Sequence, residues 1–186
     1  MTGETDREAL GARLVERAHL TGDFLLRSGR RSPYYLDKYR FETDPVLLDG
    51  LGRLIAEVLP THAPDAELLA GPELGAVPLA ALASVHTGRP FVIVRKEAKD
   101  YGTAKRIEGV FEPGQRVCVV EDVVTSGGAL LDAVAGLRTA GLDVSAAICV
   151  VDRLEGGAEA IAAAGVRLMP LFTVADLGIG SAPDPV

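Results

Sequence analysis

The residues best suited to chemistry lie between Glu121 and Gly128. The carboxylates of Glu121 and Asp122 follow an apolar, β-branched run and precede a Thr-Ser-Gly-Gly turn at 125–128. Paired glycines let consecutive backbone N–H groups point at one anion, and the start of a helix adds the positive end of its dipole. The carboxylates would repel a phosphate, so they are better suited to accept hydrogen bonds from a ribose diol. The stretch therefore predicts a site for a ribose 5-phosphate.

This turn needs a strand before it and a helix after it. Val117 to Val120 is typical of a buried parallel strand, which we expect to end at the two carboxylates. Residues 129–137 have the pattern of a helix that packs back on the sheet. No Gly-Lys-Ser/Thr occurs and no G-x-G-x-x-G opens the helix, which excludes a P-loop and a dinucleotide fingerprint. The alternative is an ordinary strand–turn–helix with a solvated acidic loop, but the order of acids, hydroxyls and glycines favours the phosphate site.

Composition indicates one α/β domain. The chain has 186 residues, of which 48% are hydrophobic and 5% aromatic, and its formal net charge is −7. That charge disfavours nucleic acid and anionic membranes as partners. No apolar run is long enough to span a bilayer, and the acidic N-terminus is unlike a signal peptide. Cys118 and Cys149 lie in strand-like runs without metal-ligand spacing, so we expect buried free thiols and a cytoplasmic protein.

Cations are concentrated in two segments, 27–40 and 95–106, which each hold five of the nineteen lysines and arginines. Either segment alone could be a solvated loop, but both beside a phosphate loop predict the binding of a small polyanion. The region 24–41 also holds five of the nine aromatic residues. Such a surface suits a flat ring with a carboxylate, stacked on tyrosine and paired with arginine. The alternative is a small hydrophobic hairpin with exposed arginines.

Hydrophobic periodicity predicts the remaining elements. Predicted helices lie at 6–18, 44–59, 77–86 and 158–164, predicted strands at 67–70, 91–94, 144–151 and 166–174, and a hairpin within 22–37. This order favours an α/β fold with an open, mainly parallel sheet and helices on both faces. We expect the stretch from Pro60 to Pro64 to break the chain. The polar segment from Arg95 to Gly109 is expected to close over the site.

The stretch from Val117 to Ala129 resembles the motif by which type I phosphoribosyltransferases bind 5-phosphoribosyl 1-pyrophosphate (PRPP). That motif is an apolar strand, two acids, two aliphatics, Thr-Thr/Ser-Gly-Gly and a small residue. The pattern F-x-L-x-S-G-x-x-S-P-Y-Y, which ends at Tyr35, is similar to the N-terminal hood of the orotate phosphoribosyltransferases. The pattern R-K-x-x-K-x-Y-G, which starts at Arg95, is similar to their catalytic loop. The loop at 71–76 matches the position of their pyrophosphate-binding loop.

The resemblance implies a type I phosphoribosyltransferase fold over 1–186 as a single domain, with 1–42 supplying an N-terminal helix and the hood. It implies that orotate and PRPP react to give orotidine 5′-monophosphate and pyrophosphate in UMP biosynthesis. It also implies Mg²⁺ held mainly by PRPP and water, with no direct protein ligand. The implied assembly is a homodimer in which Lys99 and Arg95 act in the neighbouring subunit, while Lys96 stays in its own.

The resemblance also implies site residues. The implied PRPP-binding residues are Glu73, Leu74, Arg95, Lys96, Lys99, Tyr101, Glu121, Asp122, Val123, Val124, Thr125, Ser126, Gly127, Gly128 and Ala129. The implied orotate-binding residues are Arg27, Tyr34, Tyr35, Thr125 and Arg153. The implied catalytic residues are Lys99, Glu121 and Asp122. Tyr101 stands where many members have His, and Arg27 stands where Lys is usual.

Three alternatives stay open on the residues alone. Arg153 falls at the carboxyl end of a predicted strand, where it could fork onto a ligand carboxylate or form a salt bridge with Asp152 or Glu155. The same donor could serve another base, such as a purine. A PRPP-sensing regulator would bind without turnover, but such regulators carry a DNA-binding helical module or a basic RNA-binding face. This chain has no room for the module, and its cations line the predicted pocket.

Overall fold

The computed structural model describes residues 6–25, 29, 31–97 and 106–179, in which helices and strands largely alternate. In chain order the elements are α1 (Arg7–Ala18), β1 (His19–Leu25), β2 (Arg31–Leu36), α2 (Lys38–Glu42), α3 (Pro45–His62), β3 (Leu68–Pro72), α4 (Ala76–Thr87), β4 (Phe91–Val94), β5 (Ile107–Glu108), β6 (Arg116–Val124), α5 (Gly128–Thr139), β7 (Asp143–Asp152), α6 (Gly157–Ala163) and β8 (Arg167–Thr173). Arg27, Lys99 and Tyr101 lie outside the described residues.

The main sheet has six strands in the order β5-β4-β3-β6-β7-β8. The pairs β3–β4, β3–β6, β6–β7 and β7–β8 are parallel, and the two-residue β5 pairs antiparallel with β4. The chain winds outward from β3 in one direction and from β6 in the other. The order therefore reverses between β3 and β6, which is where open α/β sheets bind their ligands.

Apolar side chains cover both faces of this sheet. Along β6, Cys118 and Val120 face the core formed with α1, α3 and α4, while Val117 and Val119 face the core formed with α5 and α6. This alternation follows from the two-residue period of a strand. The prediction of a mainly parallel sheet with helices on both faces is confirmed. Cys118 and the other cysteine are buried free thiols, as expected.

The N-terminal hairpin lies beside the main sheet as a separate two-stranded unit. β1 and β2 pair antiparallel from His19 opposite Leu36 to Leu25 opposite Arg31, which confirms the predicted hairpin. The short helix α2 follows directly. The sequence does not predict it, because five residues are too few to show a helical pattern of hydrophobic residues. Its N-cap residue, Asp37, donates its backbone N–H to the carbonyl of Ala18, so the hairpin closes against the end of α1.

Two predicted boundaries are wrong. β6 does not end at the acid pair but continues through Glu121 and Asp122 to Val124, because both side chains are buried and the pairing with β7 goes on. α3 does not break at Pro60 but runs to His62. The missing N–H of Pro60 falls in the last turns of the helix. His62 holds the C-terminal end of α3 in place, because its Nε2 lies 3.0 Å from the carbonyl oxygens of both Ala147 and Arg167.

Candidate active site

The turn that joins β6 to α5 has the geometry of an anion-binding loop. Gly127 is the N-cap of α5 with φ +80°, a conformation that side chains rarely adopt. Its carbonyl accepts the N–H of Leu131, so the first N–H groups of the helix have no partner within it. Thr125, Gly128 and Ala129 line a small cleft with Glu121. The turn can therefore present backbone and hydroxyl donors to a phosphate.

Close packing against α6 holds this turn in place. Gly157, the first residue of α6, lies so close that a Cβ there would be 2.4 Å from the carbonyl oxygen of Thr125 and 2.5 Å from Cγ1 of Val124. A Cβ at Gly127 would in turn lie 3.2 Å from the carbonyl oxygen of Gly157. The two glycines let α6 and the turn meet backbone to backbone, which fixes the position of the donors.

The acid pair is buried rather than solvated. Glu121 is 5% exposed and Asp122 is 3% exposed. Oε1 of Glu121 accepts the N–H of Asp122 at 3.0 Å, whereas its Oε2 is buried with no hydrogen-bond partner among the described residues. Oδ1 of Asp122 accepts the N–H of Val123 at 2.5 Å. An unpartnered buried carboxylate oxygen is costly, and a ligand hydroxyl would satisfy it.

The structure adds two residues that sequence reasoning missed. Lys38 donates from Nζ to Oδ2 of Asp122 at 2.6 Å, across 84 positions of the chain. Glu42, four residues later on α2, is 3% exposed and brings a third carboxyl group to the same place. A Cβ at Gly75 would lie 2.1 Å from Oδ2 of Asp122 and 2.4 Å from Oε1 of Glu42. The only sequence signal was that Lys38 belongs to the first cationic segment.

Three carboxyl groups around one ammonium shift the proton affinities of the cluster. Burial raises the pKa of Glu121 to about 8, and the charge of Asp122 adds to the effect. Burial likewise raises the pKa of Glu42 to about 8, again with a contribution from Asp122. Burial opposes the charge on Lys38, but its hydrogen bond to Asp122 and the surrounding carboxylates outweigh that penalty and raise its pKa. Lys38 is thus charged at neutral pH, and the two glutamates retain protons.

The loop after β3 holds the start of the cationic segment. Oε1 of Glu73 accepts the backbone N–H of Lys96 at 2.7 Å, and Nε of Arg95 lies 3.6 Å from Oε2 of the same glutamate. The peptide bond between Glu73 and Leu74 is cis, and the Leu74 side chain is 68% exposed. Four of the predicted PRPP-binding residues therefore lie together, next to Gly75 and the buried acids.

The hairpin and the end of β7 bring two predicted orotate-binding residues together. The guanidinium carbon of Arg153 lies 5.4 Å from the ring centroid of Tyr34, and its Nη2 lies 2.9 Å from Oε1 of Glu155. The salt bridge with Glu155 that the sequence left open is therefore present. The backbone N–H of Arg153 donates to Val124, which sets this arginine beside the anion-binding turn. Tyr35 is 42% exposed and packs against Phe24 instead.

Comparisons with known proteins agree with this arrangement. The family model for the phosphoribosyl transferase domain matches residues 40–166. The orotate phosphoribosyltransferase of Methanocella arvoryzae is 52% identical over 156 residues, which are 84% of this chain and 87% of the relative. That of Methanopyrus kandleri is 47% identical over 173 residues, 92% of each chain.

Solved structures give the same answer. A crystal structure of Mycobacterium tuberculosis orotate phosphoribosyltransferase in complex with PRPP has a TM-score of 0.79 at 35% identity, covering 94% of this chain and 99% of that one. The orotate phosphoribosyltransferase of Aeropyrum pernix has a TM-score of 0.81 at 36% identity, covering 90% of this chain and 95% of that one. With the matched domain, the close relatives and the shared fold in agreement, the chain belongs to the orotate phosphoribosyltransferase family.

Proposed function

We propose that this protein transfers the 5-phosphoribosyl group of PRPP to orotate in pyrimidine biosynthesis, through the site between β3, β6 and the hairpin. A ring nitrogen of orotate forms a bond to the anomeric carbon as the bond to pyrophosphate breaks. The electron pair leaves with the pyrophosphate, and the proton of the ring nitrogen is lost to solvent. The observation that carries this proposal is the buried acid pair, Glu121 and Asp122, directly before the anion-binding turn. An acid pair followed by an anion-binding turn suits a ligand that has neutral hydroxyls next to a phosphate.

The anion-binding turn is the proposed site of the 5′-phosphate. Thr125 to Ala129 offer backbone N–H groups, two hydroxyls and the positive end of α5. Val123 and Val124 complete the strand that positions them. Because α6 supports the turn from behind, the donors need little rearrangement when the phosphate binds.

The acid pair is the proposed partner of the ribose. The unpartnered Oε2 of Glu121 accepts a ribose hydroxyl, and Asp122, held by Lys38, accepts a second one. As pyrophosphate leaves, positive charge develops at the anomeric carbon. The acid pair stabilises that charge in a site shielded from water, Asp122 as a carboxylate and Glu121 through the oxygens of its carboxyl group. The side chains contribute position and electrostatics rather than a covalent intermediate.

The diphosphate is proposed to lie on the side of the loop after β3, and a metal ion bound to it would lie there too. Oxygens of Asp122 are already used by Lys38 and Val123, so a hard cation here would take most of its oxygen ligands from PRPP and water. Mg²⁺ bound in that way would neutralise charge on the leaving diphosphate. Glu73 and Leu74 form the loop, and Arg95, Lys96, Lys99 and Tyr101 are the proposed partners of the phosphates.

Orotate is proposed to lie between the hairpin and Arg153. Tyr34 and Arg153 already form a stacked pair, and the guanidinium can fork onto the orotate carboxylate. Arg27, Tyr35 and Thr125 complete the proposed orotate contacts. We also propose a homodimer in which Lys99 of one subunit completes the site of the other. Arg95, which the resemblance also assigns to the neighbour's site, pairs with Glu73 of its own subunit, so it is proposed to contact the PRPP bound there.

The test is a direct assay. Protein, PRPP and Mg²⁺ are mixed with orotate, and the orotate absorbance is followed while pyrophosphate release is measured separately. We expect the two signals to change in equal amounts and to require PRPP. Parallel reactions contain adenine or hypoxanthine in place of orotate. Consumption of a purine instead of orotate would contradict the proposed substrate, and PRPP binding without any turnover would support a sensor instead.

A further inference from the structure

Glu42 lies outside every motif considered above, yet its carboxyl group reaches the catalytic acid pair. It is the last residue of α2 and 3% exposed, and none of the described N–H or hydroxyl groups donates to its buried Oε1. Oε1 of Glu42 and Oδ2 of Asp122 both crowd the position that a Cβ of Gly75 would take, at 2.4 Å and 2.1 Å. Two carboxyl groups from different elements therefore converge over one glycine.

Two ionised carboxylates this close would repel each other in a buried site, so one of them must carry a proton. Asp122 already accepts hydrogen bonds from Lys38 and from the N–H of Val123. Oε1 of Glu42 receives no donor from the described residues. The proton therefore belongs on Glu42, whose pKa is raised to about 8 by burial and by the charge and hydrogen bond of Asp122.

The charged groups around Glu42 are few. From α2 and its cap, Lys38 lowers the pKa of Glu42 and Asp37 raises it, and from β6 Asp122 raises it. Glu121 acts on the same cluster through Asp122 and Lys38.

On the other elements packed against α2, charged groups form pairs of their own. On α1 and at the start of α3, Arg13 and Arg17 are paired with Asp44. On α4 the titratable residue is His86, which lies 2.9 Å from Asp49. The proton on Glu42 is thus controlled by the site itself.

We propose that Glu42 is a positioning residue for the phosphoribosyl transfer, because it donates a hydrogen bond to Asp122 and so fixes the carboxylate that receives the ribose. Lys38 alone could follow a rotating carboxylate, since its flexible stem and rotatable ammonium allow several orientations. A second donor from Glu42, together with the N–H of Val123, holds both oxygens of Asp122. The inference rests on the proposed role of Asp122.

The experiment compares three variants in the full-length protein. Glu42→Gln keeps a donor toward Asp122 but cannot ionise, Glu42→Leu removes the donor at similar volume, and Asp37→Asn is the matched control. Asp37 is a carboxylate on the same helix cap that pairs with Arg40 and makes no side-chain cap hydrogen bond. Each variant is measured for its KM for PRPP, its KM for orotate, its kcat and its calorimetric Kd for PRPP, from pH 6.5 to 9.5.

We expect Glu42→Leu to raise the KM and the Kd for PRPP by about 10–100-fold, the range for one hydrogen bond to a charged group, with a smaller change in the KM for orotate. Glu42→Gln and Asp37→Asn should stay close to wild type at pH 7. Wild-type kcat/KM for PRPP should fall as the pH rises through about 8, because ionised Glu42 repels Asp122. That fall should be weaker in Glu42→Gln.

Two results would overturn the inference: wild-type PRPP binding in Glu42→Leu, or an equal loss of PRPP binding in the Gln and Leu variants. If the Leu variant does not fold, as judged by urea unfolding, the pH profile of the Gln variant decides alone. An unchanged profile then counts against the role. Failure of the proposed function looks different, because wild-type protein itself would then neither bind PRPP nor consume orotate.

Discussion

At Asp122 the fold gathers three buried carboxyl groups around one ammonium group. Asp122, Glu42 and Glu121 are all buried, and the one cation that contacts them in the described structure is Lys38. Breaking a buried pair of this kind is costly, and an excess of carboxyl groups is retained only when protons or ligands compensate it. A site that must stabilise positive charge in a transition state would retain such an excess. The excess of carboxyl groups is therefore an argument for function rather than for stability.

The carboxyl groups of Asp122 and Glu42 can lie where they do because Gly75 has no side chain. In Gly75→Ala the new Cβ would clash with Asp122 and Glu42 at 2.1 and 2.4 Å, so the buried carboxyl groups must move. We expect at least tenfold weaker PRPP binding by calorimetry and a loss of about 1–3 kcal/mol in urea unfolding, as for other overpacked sites. The control is Gly136→Ala, where the nearest atoms to the Cβ are those of the Arg106 guanidinium, at 3.2 Å or more. PRPP affinity equal to wild type in Gly75→Ala would contradict this geometry.

The prediction for Lys99 rests on the resemblance alone, since Lys99 lies outside the described residues. If it stabilises the charge on the leaving pyrophosphate, Lys99→Ala should lose about 10²–10³ in kcat with little change in orotate affinity, as when one preorganised donor is removed. Lys105→Ala removes a cation from the same segment and serves as the control. Steady-state kinetics decide the point, and a nearly normal kcat in Lys99→Ala would remove its assigned role.

At the scale of elements, the phosphate loop could be predicted because its signals are contiguous. Strand, acids, hydroxyls, glycines and helix follow one another within 117–137, and each type has a local physical meaning. The end of β6 was placed too early because two adjacent carboxylates usually indicate solvent. They stay in the strand because its pairing with β7 continues and because Lys38, a partner that the local pattern does not contain, neutralises Asp122.

Lys38 and Glu42 could not be assigned from the sequence. Lys38 meets Asp122 only because the hairpin and α2 fold back over β6, 84 positions away. α2 is five residues long, so it shows no readable period. The stacking of Tyr34 with Arg153 is hidden for the same reason, since it joins the hairpin to the end of β7. Motifs show which groups are present, whereas tertiary contacts decide which of them meet.

Helix α6 supports the phosphate loop, and Gly157 is the contact. Gly157→Ala would place a Cβ 2.4 Å from the carbonyl oxygen of Thr125, a backbone atom that no rotamer change can move away. We expect the turn to shift, PRPP and ribose 5-phosphate to bind at least tenfold more weakly, and the free energy of unfolding to drop by about 1–3 kcal/mol. Glu159→Ala, on an exposed position of the same helix, should bind both ligands as wild type does. Unchanged ribose 5-phosphate affinity in Gly157→Ala would show that the turn does not hold the phosphate.

At the scale of the molecule, topology assembles the site. β3 and β6 are adjacent and parallel, so the loops that follow them meet at one edge of the sheet, and β7 delivers Arg153 to the same edge. The hairpin and α2 then cover that edge with Tyr34, Lys38 and Glu42. In the described residues no helix combines the length and apolar character needed to cross a membrane. The burial of three acids beneath this cover gives the whole molecule a predictable response to pH.

That response has a definite sign. Glu42 and Glu121 have a pKa of about 8 in the folded chain against an ordinary 4.5, so the folded state binds more protons than the unfolded state between these values. The free energy of unfolding should therefore fall as the pH rises from about 5 to 9. Asp44, Asp49 and Asp176 have lowered pKa values, and the stability they contribute is lost only in acid, below about pH 4.

Urea unfolding at a fixed protein concentration tests this, because any assembly would make the midpoint depend on concentration. The midpoint should be higher at pH 5.5 than at pH 8.5, and the difference should shrink in Glu42→Gln, which has one fewer group to titrate. Glu67→Gln is a suitable control, since Glu67 lies at the other end of β3 in a half-exposed pair with Arg116. A midpoint that is flat or rises toward pH 8.5 would mean that the buried acids are ionised in the folded protein. The protons assigned to the cluster, and with them the hydrogen bond from Glu42 to Asp122, would then have to be given up.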